Sequence, residues 1–118
     1  MALETTSQIT DDEKMRECIE NCLEATEVCE WCADECIALG DSDMIECIRL
    51  CRDVADVASL HARFMARNSQ WEAELADLCA SLCTACADEC ETHDHDHCQA
   101  CVSVLRTCAQ SCSDMAGN

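Results

Sequence analysis

The sequence predicts an all-α protein, an antiparallel up-down-up-down four-helix bundle with a cysteine-lined core. Three observations predict it. The 118-residue chain has no proline and only two glycines, Gly40 and Gly117, so the residues that punctuate strands and long loops are nearly missing. Capping signals divide the chain into four long stretches with short connections, and short connections make neighbouring helices antiparallel. One segment recurs: Cys29-Glu30-Trp31-Cys32-Ala33-Asp34-Glu35-Cys36 returns as Cys83-Thr84-Ala85-Cys86-Ala87-Asp88-Glu89-Cys90, and Cys47 maps onto Cys101 at the same offset. Two units are too few for a solenoid, so the repeat reads as two related helical hairpins.

The elements follow in order. Residues 1–10 form an N-terminal tail, and 11–118 form one domain. Thr10-Asp11-Asp12-Glu13 reads as a capping box that opens the first helix near Asp11, with Gly40 at the position just past its end. Asp41 or Ser42 caps the second. Ser69-Gln70-Trp71-Glu72 is a second capping box and opens the third, and Asp94 caps the fourth. The expected helices span about 11–39, 43–67, 70–92 and 95–116.

Composition excludes several function classes. Acidic residues number 25 against 7 basic ones, and the net charge is −18. Such a surface repels phosphate backbones and anionic lipid, so neither nucleic acid nor a membrane surface is an expected partner. No run approaches the roughly 18 apolar residues of a membrane span. The start, Met1-Ala-Leu-Glu-Thr-Thr-Ser, lacks a basic stretch followed by an apolar one, so the cytoplasm, where thiols stay reduced, is the expected compartment. The odd count of 15 cysteines argues against a closed disulfide framework. Lys14 is the one lysine, and heavy acidity with so little lysine resembles halophilic proteins.

The cysteine register carries the argument. In the first helix the three-and-four spacing puts Met15, Cys18, Cys22, Ala25, Cys29, Cys32, Cys36 and Leu39 on one stripe. The second reads Met44, Cys47, Cys51, Val54, Ala58, His61 and Met65. The third reads Glu72, Ala76, Cys79, Cys83, Cys86, Cys90 and His93, and the fourth Asp94, Cys98, Cys101, Leu105, Cys108, Cys112 and Met115. No cysteine falls off these stripes. Residues three and four apart share a helix face, and such faces point into a bundle. One or two buried cysteines are ordinary small hydrophobes. A whole seam of them underfills a core that leucine and isoleucine normally pack, unless metal occupies it.

Thiolates select Cu(I), zinc and iron–sulfur clusters. Zinc wants four ligands converging on one point, which a linear tube of thiols does not naturally supply. Cu(I) accepts two or three thiolates. Helix neighbours with Cβ atoms about 5–6 Å apart are spanned by two metal–sulfur bonds of about 2.3 Å. The alternatives are an iron–sulfur electron-transfer protein and a zinc buffer. Cys29, Cys32 and Cys36 give CxxCxxxC, without the first pair or the proline of a ferredoxin run. Disulfide-based redox sensing is disfavoured by helix geometry.

The repeated Cys-x-x-Cys-Ala-Asp-Glu-Cys blocks on a cysteine seam, from about Asp11 to Met115, resemble the copper storage proteins, in particular their cytosolic branch. The resemblance implies a non-enzymatic protein that sequesters many Cu(I) ions on core cysteines, mostly in bis-thiolate sites, and that assembles as a homotetramer. It implies copper ions as cargo and a copper chaperone or exporter as partner. Carried onto this chain, it makes Cys18, Cys22, Cys29, Cys32, Cys36, Cys47, Cys51, Cys79, Cys83, Cys86, Cys90, Cys98, Cys101, Cys108 and Cys112 the expected ligands. The chain departs from a saturated pattern at Val54, Ala58 and Leu105. Members of the family admit copper at an end bearing other ligands, and two ends compete. One has Met44, His93, His95 and His97; the other has His61, Met65, Met15 and Met115. His61 and His93 are the added metal ligands, His93 because it continues the third stripe. Of the apolar residues flanking the seam, such as Ile45, Ile48, Val57, Leu60, Phe64, Leu75, Leu78 and Leu82, some complete the interior and some are free for subunit contacts.

Overall fold

The computed structural model describes residues 8–117. Among these residues there are four long helices and no strand. They are α1 (Glu13–Leu39), α2 (Ile45–Ala66), α3 (Glu72–Glu91) and α4 (Asp96–Met115), with a single 3-10 turn at Ser42–Met44 leading into α2. Each helix packs on its neighbours in sequence, and α4 closes the square against α1. This is the four-helix bundle that the spacing and the repeat call for. The α1–α2 and α3–α4 hairpins are the two repeated halves.

Caps set the ends, and three of them differ from expectation. Asp12, not the Thr10 of the expected capping box, caps α1: its carboxylate accepts from the Met15 amide at 3.2 Å, while Thr10 Oγ1 accepts from the Asp12 amide at 3.0 Å. With Asp12 as the cap, the third helical residue is Met15, which has no carboxylate to close a box. Ser69 does not open α3 either. Its hydroxyl accepts from the Trp71 amide at 3.1 Å, the helix starts at Glu72, and the Glu72 carboxylate turns inward to His61. At α4 the cap position is His95, already extended at ψ 139° and without a side-chain bond, which leaves Asp94 one residue too early. Asp41 does cap, but it caps the 3-10 turn, accepting from the Asp43 amide at 2.9 Å.

The C-terminal ends are conventional. Gly40 takes the left-handed conformation at φ 65°, and its amide donates to the Ile37 carbonyl at 3.1 Å. After α2 that role falls to Asn68 at φ 53°. Ser69 donates back to Phe64 and Asn68 to Met65, the paired bonds of a Schellman motif. Asn tolerates this conformation better than most residues with a side chain.

The core is the seam. All fifteen cysteines are buried, together with Ala25, Met44, Val54, Ala58, His61, Met65, Ala76 and Leu105. The stripe frays only at its ends, where Leu39 and Asp94 are exposed. Of the flanking apolar residues, Ile48, Val57 and Leu82 pack against the core, while Ile45 and Leu78 remain exposed.

Candidate metal centre

The helices bring the thiols to ligand-sharing distances. Sulfur–sulfur separations are 3.8 Å for Cys18–Cys112, Cys22–Cys112 and Cys47–Cys90, and 3.7 Å for Cys51–Cys86. Cys22–Cys108 and Cys108–Cys112 stand at 3.9 Å, and Cys32–Cys36 and Cys36–Cys47 at 4.0 Å. For metal–sulfur bonds of about 2.3 Å, two sulfurs lie about 4.6 Å apart across a linear ion and about 4.0 Å apart around a trigonal one. The seam therefore meets trigonal sites nearly as it stands, and linear ones after small side-chain rotations.

Ligand atoms within 4.8 Å of one another form five groups: Cys18, Cys22, His61 and Cys112; Cys22, Cys79, Cys108 and Cys112; Cys32, Cys36, Cys47 and Cys98; Cys32, Cys47, Cys51 and Cys90; and Cys29, Cys51 and Cys86. The groups share members. Cys22 and Cys112 each serve two, as do Cys32, Cys47 and Cys51. Separate four-thiolate zinc sites would compete for the same sulfurs, whereas bridging thiolates carry adjacent Cu(I) ions and spread the charge. Every cysteine except Cys83 and Cys101 belongs to a group. Cys83 neighbours Cys79 and Cys108, and the Cys101 thiol donates to the Val28 carbonyl at 3.7 Å.

The groups fall into two sets that share no residue. Between Cys22 and Cys29 on α1 stands Ala25. Between Cys51 and His61 on α2 stand Val54 and Ala58, and between Cys101 and Cys108 on α4 stands Leu105, all fully buried. Cys83 is the one thiol at this level. An apolar collar thus separates a set near the α1–α2 and α3–α4 turns from a set at the opposite end.

The thiols act on one another electrically. Hydrogen bonds from Cys51 and Cys86 lower Cys29 to about 6, and those from Cys112 and Cys22 lower Cys108 to about 6. Their donors hold their protons: Cys51 is pushed up by Cys101 and Cys29, and Cys22 by Cys108 and Cys112. Some sulfurs are thus poised as anions, ready to accept a soft cation, while neighbours keep protons that a metal must displace.

His61 is the buried polar side chain of the core. Its Nδ1 lies 3.5 Å from the sulfurs of both Cys22 and Cys112, and its Nε2 lies 2.8 Å from Glu72 Oε1. Burial pushes its pKa down, but the bonds to Cys79 and Glu72 outweigh burial and raise it to about 9. Met65, buried, and Met15 and Met115, partly buried, complete this end.

At the turn end, geometry singles out a different histidine from the one the stripe indicated. His93 Nε2 pairs with Glu89 Oε2 at 2.7 Å, and His93 joins none of the thiol groups. His97 instead reaches Cys36, with Nε2 at 3.4 Å from the sulfur. The His97 ring stacks on His95 with centroids 5.3 Å apart, and meets the edge of Trp31 at 6.2 Å. Nothing in the helical register signals this. His97 lies one residue off the α4 stripe and reaches the seam only because the two turns bring helix ends together.

Comparison with known proteins agrees with this chemistry. The family model described as Csp, copper storage protein, matches residues 11–117. A cysteine-rich protein of Bacillus subtilis, YhjQ, described as uncharacterized, is 41% identical over 100 residues, 84% of this chain and 93% of that protein. The Cu(I)-bound copper storage protein BsCsp3 is 40% identical with a TM-score of 0.81, over 88% of this chain and 99% of its own. The Streptomyces lividans copper storage protein Ccsp, loaded with 10 copper equivalents, is 35% identical with a TM-score of 0.81, over 89% of this chain and 85% of its own.

Proposed function

The chain belongs to the copper storage protein family, and from that membership we propose that its fifteen core thiols hold Cu(I) in bulk along the bundle axis. The observation that carries this reading is the overlap of the thiol groups. Sulfurs shared between neighbouring groups make a ladder of bridging positions rather than a few closed sites. Cu(I) is a stored cargo here, so the chain works by binding and not by turning over a substrate. Each ion bound displaces thiol protons, and each shared thiolate lowers the charge per metal.

All fifteen seam cysteines serve as ligands in this reading, with Cys83 and Cys101 joining after side-chain rotation. His97, on the rim beside Cys36, receives incoming ions at the turn end. His93 takes a peripheral place there, held by Glu89. His61 is a ligand at the far end. The cytoplasm is the compartment that keeps such thiols reduced. A homotetramer offers a use for exposed Ile45 and Leu78, and a copper chaperone or exporter is the natural donor or acceptor. The acidic surface suits a salt-rich medium, where a large like charge is screened.

The test is anaerobic titration of the fully reduced protein with Cu(I) against a competing chelator, with metal counted afterwards. Many tightly held ions per chain are expected. A single ion, or none, overturns storage.

A further inference from the structure

One group in the core differs from all the others in its ligand set. Cys18 and Cys22 from α1, His61 from α2 and Cys112 from α4 place three sulfurs and one imidazole nitrogen within 4.8 Å of one another, all buried. The geometry points to a single site here for a tetrahedral divalent cation of the zinc type in the copper-free protein, sharing Cys22 and Cys112 with the Cu(I) ladder and closed by a carboxylate outside the ligand set.

Three observations converge. The first is the donor set: three thiolates and one imidazole are a closed structural-zinc combination. The second is distance. Around a tetrahedral zinc with bonds of about 2.3 Å to sulfur and 2.05 Å to nitrogen, the sulfur–sulfur edge is about 3.8 Å and the sulfur–nitrogen edge about 3.55 Å. Cys18–Cys112 and Cys22–Cys112 stand at 3.8 Å, and His61 Nδ1 stands 3.5 Å from both Cys22 and Cys112. A linear Cu(I) would have to spread the same sulfurs to about 4.6 Å, and a trigonal one to about 4.0 Å. The third is the carboxylate. Glu72 Oε1 lies 2.8 Å from His61 Nε2, the edge of the ring away from the sulfurs. A carboxylate on the far nitrogen fixes the tautomer with Nδ1 free to bind metal, fixes the ring orientation, and makes the ligand more basic. Glu72 forgoes its backbone capping role to make this contact.

The charge is favourable. Binding needs three thiolates and a neutral imidazole, so it displaces the extra proton of His61 as well as those on the thiols that still carry one; the divalent ion then leaves one negative charge, against two for a four-cysteine group. The ion would also tie the whole bundle together at this end, since α1, α2 and α4 supply ligands and α3 supplies Glu72. The site does not depend on the storage reading, and Cu(I) capacity is measured separately.

The experiment uses the full reduced chain under anaerobic conditions, with Co(II) as an optical probe and Zn(II) as competitor. One equivalent of Co(II) is expected to give the ligand-field bands of a tetrahedral thiolate-rich site, and Zn(II) to bleach them. His61→Ala should abolish that spectrum. Glu72→Gln, which touches no ligand sulfur, should weaken Co(II) binding roughly 10- to 100-fold with unchanged helicity by circular dichroism. Equal Co(II) affinity in Glu72→Gln and the unaltered chain overturns the proposal, as does a spectrum that survives His61→Ala. Cu(I) counting on Glu72→Gln should match the unaltered chain. A low Cu(I) count in both proteins, with the Co(II) result intact, would count against storage and leave this site standing.

Discussion

Replacing all four α3 cysteines with alanine, Cys79, Cys83, Cys86 and Cys90, tests the seam as a metal-holding structure. The thiols removed are four of fifteen. Two groups lose nothing, namely Cys18, Cys22, His61 and Cys112, and Cys32, Cys36, Cys47 and Cys98. The other three groups lose one sulfur each and keep three, three and two. Cu(I) capacity should therefore fall by roughly a quarter, in proportion to the soft ligands lost. The fold should survive. Each deleted buried sulfur costs about 1 kcal/mol, comparable to a methylene, so the total is about 4 kcal/mol. Alanine returns up to about 0.7 kcal/mol of helix propensity per position, leaving a net loss of at least about 1 kcal/mol. That is tolerable against the roughly 5–15 kcal/mol of an ordinary domain. The assay is metal per chain after anaerobic titration, with helicity followed by circular dichroism. Unchanged capacity refutes the seam. Loss of nearly all copper with helicity retained refutes a capacity that scales with the number of thiols present.

Two further expectations concern the metal-free protein. Leu105 is fully buried in the collar, so Leu105→Ala should destabilise the bundle by about 2–5 kcal/mol, read by chemical denaturation, with little change in Cu(I) capacity. His61 has a folded pKa raised from 6.5 to about 9. Its protonated form is favoured by folding, so its contribution is fully present below pH 6.5 and lost as pH rises through about 9. Denaturation midpoints measured from pH 6 to 10 should decline across that window, and Glu72→Gln should flatten the decline.

The seam was readable because sulfur sits at positions three and four apart, and that spacing survives whatever the neighbours do. Cys18 through Cys36 follow it across the length of α1, and every one is buried. Glu72 shows where local reading stops. The Ser69–Glu72 signal is a sound helix-start pattern, yet an inward-facing imidazole competes with the backbone for the carboxylate and wins. His61 and Glu72 both stand on their stripes, but only folding reveals that they face each other. His97 was less legible still. Its contact with Cys36 joins residues far apart in sequence and depends on how two turns meet. The helix starts moved by a residue or two for a related reason: which of several acidic residues caps a helix is decided by backbone angles, not by residue type.

The apolar collar has a consequence for traffic. An ion moves along a thiolate ladder by exchanging one sulfur for the next, and Ala25, Val54, Ala58 and Leu105 interrupt the rungs. With Cys83 the lone thiol at that level, the bundle behaves as two vessels joined by a narrow neck rather than as one tank. Each vessel is then expected to fill and drain from its own end of the bundle. At intermediate copper, native mass spectrometry should find chains with one vessel full and the other empty, in place of a single smoothly shifting distribution. A cell drawing copper through one end would empty one vessel and keep the contents of the other in hand.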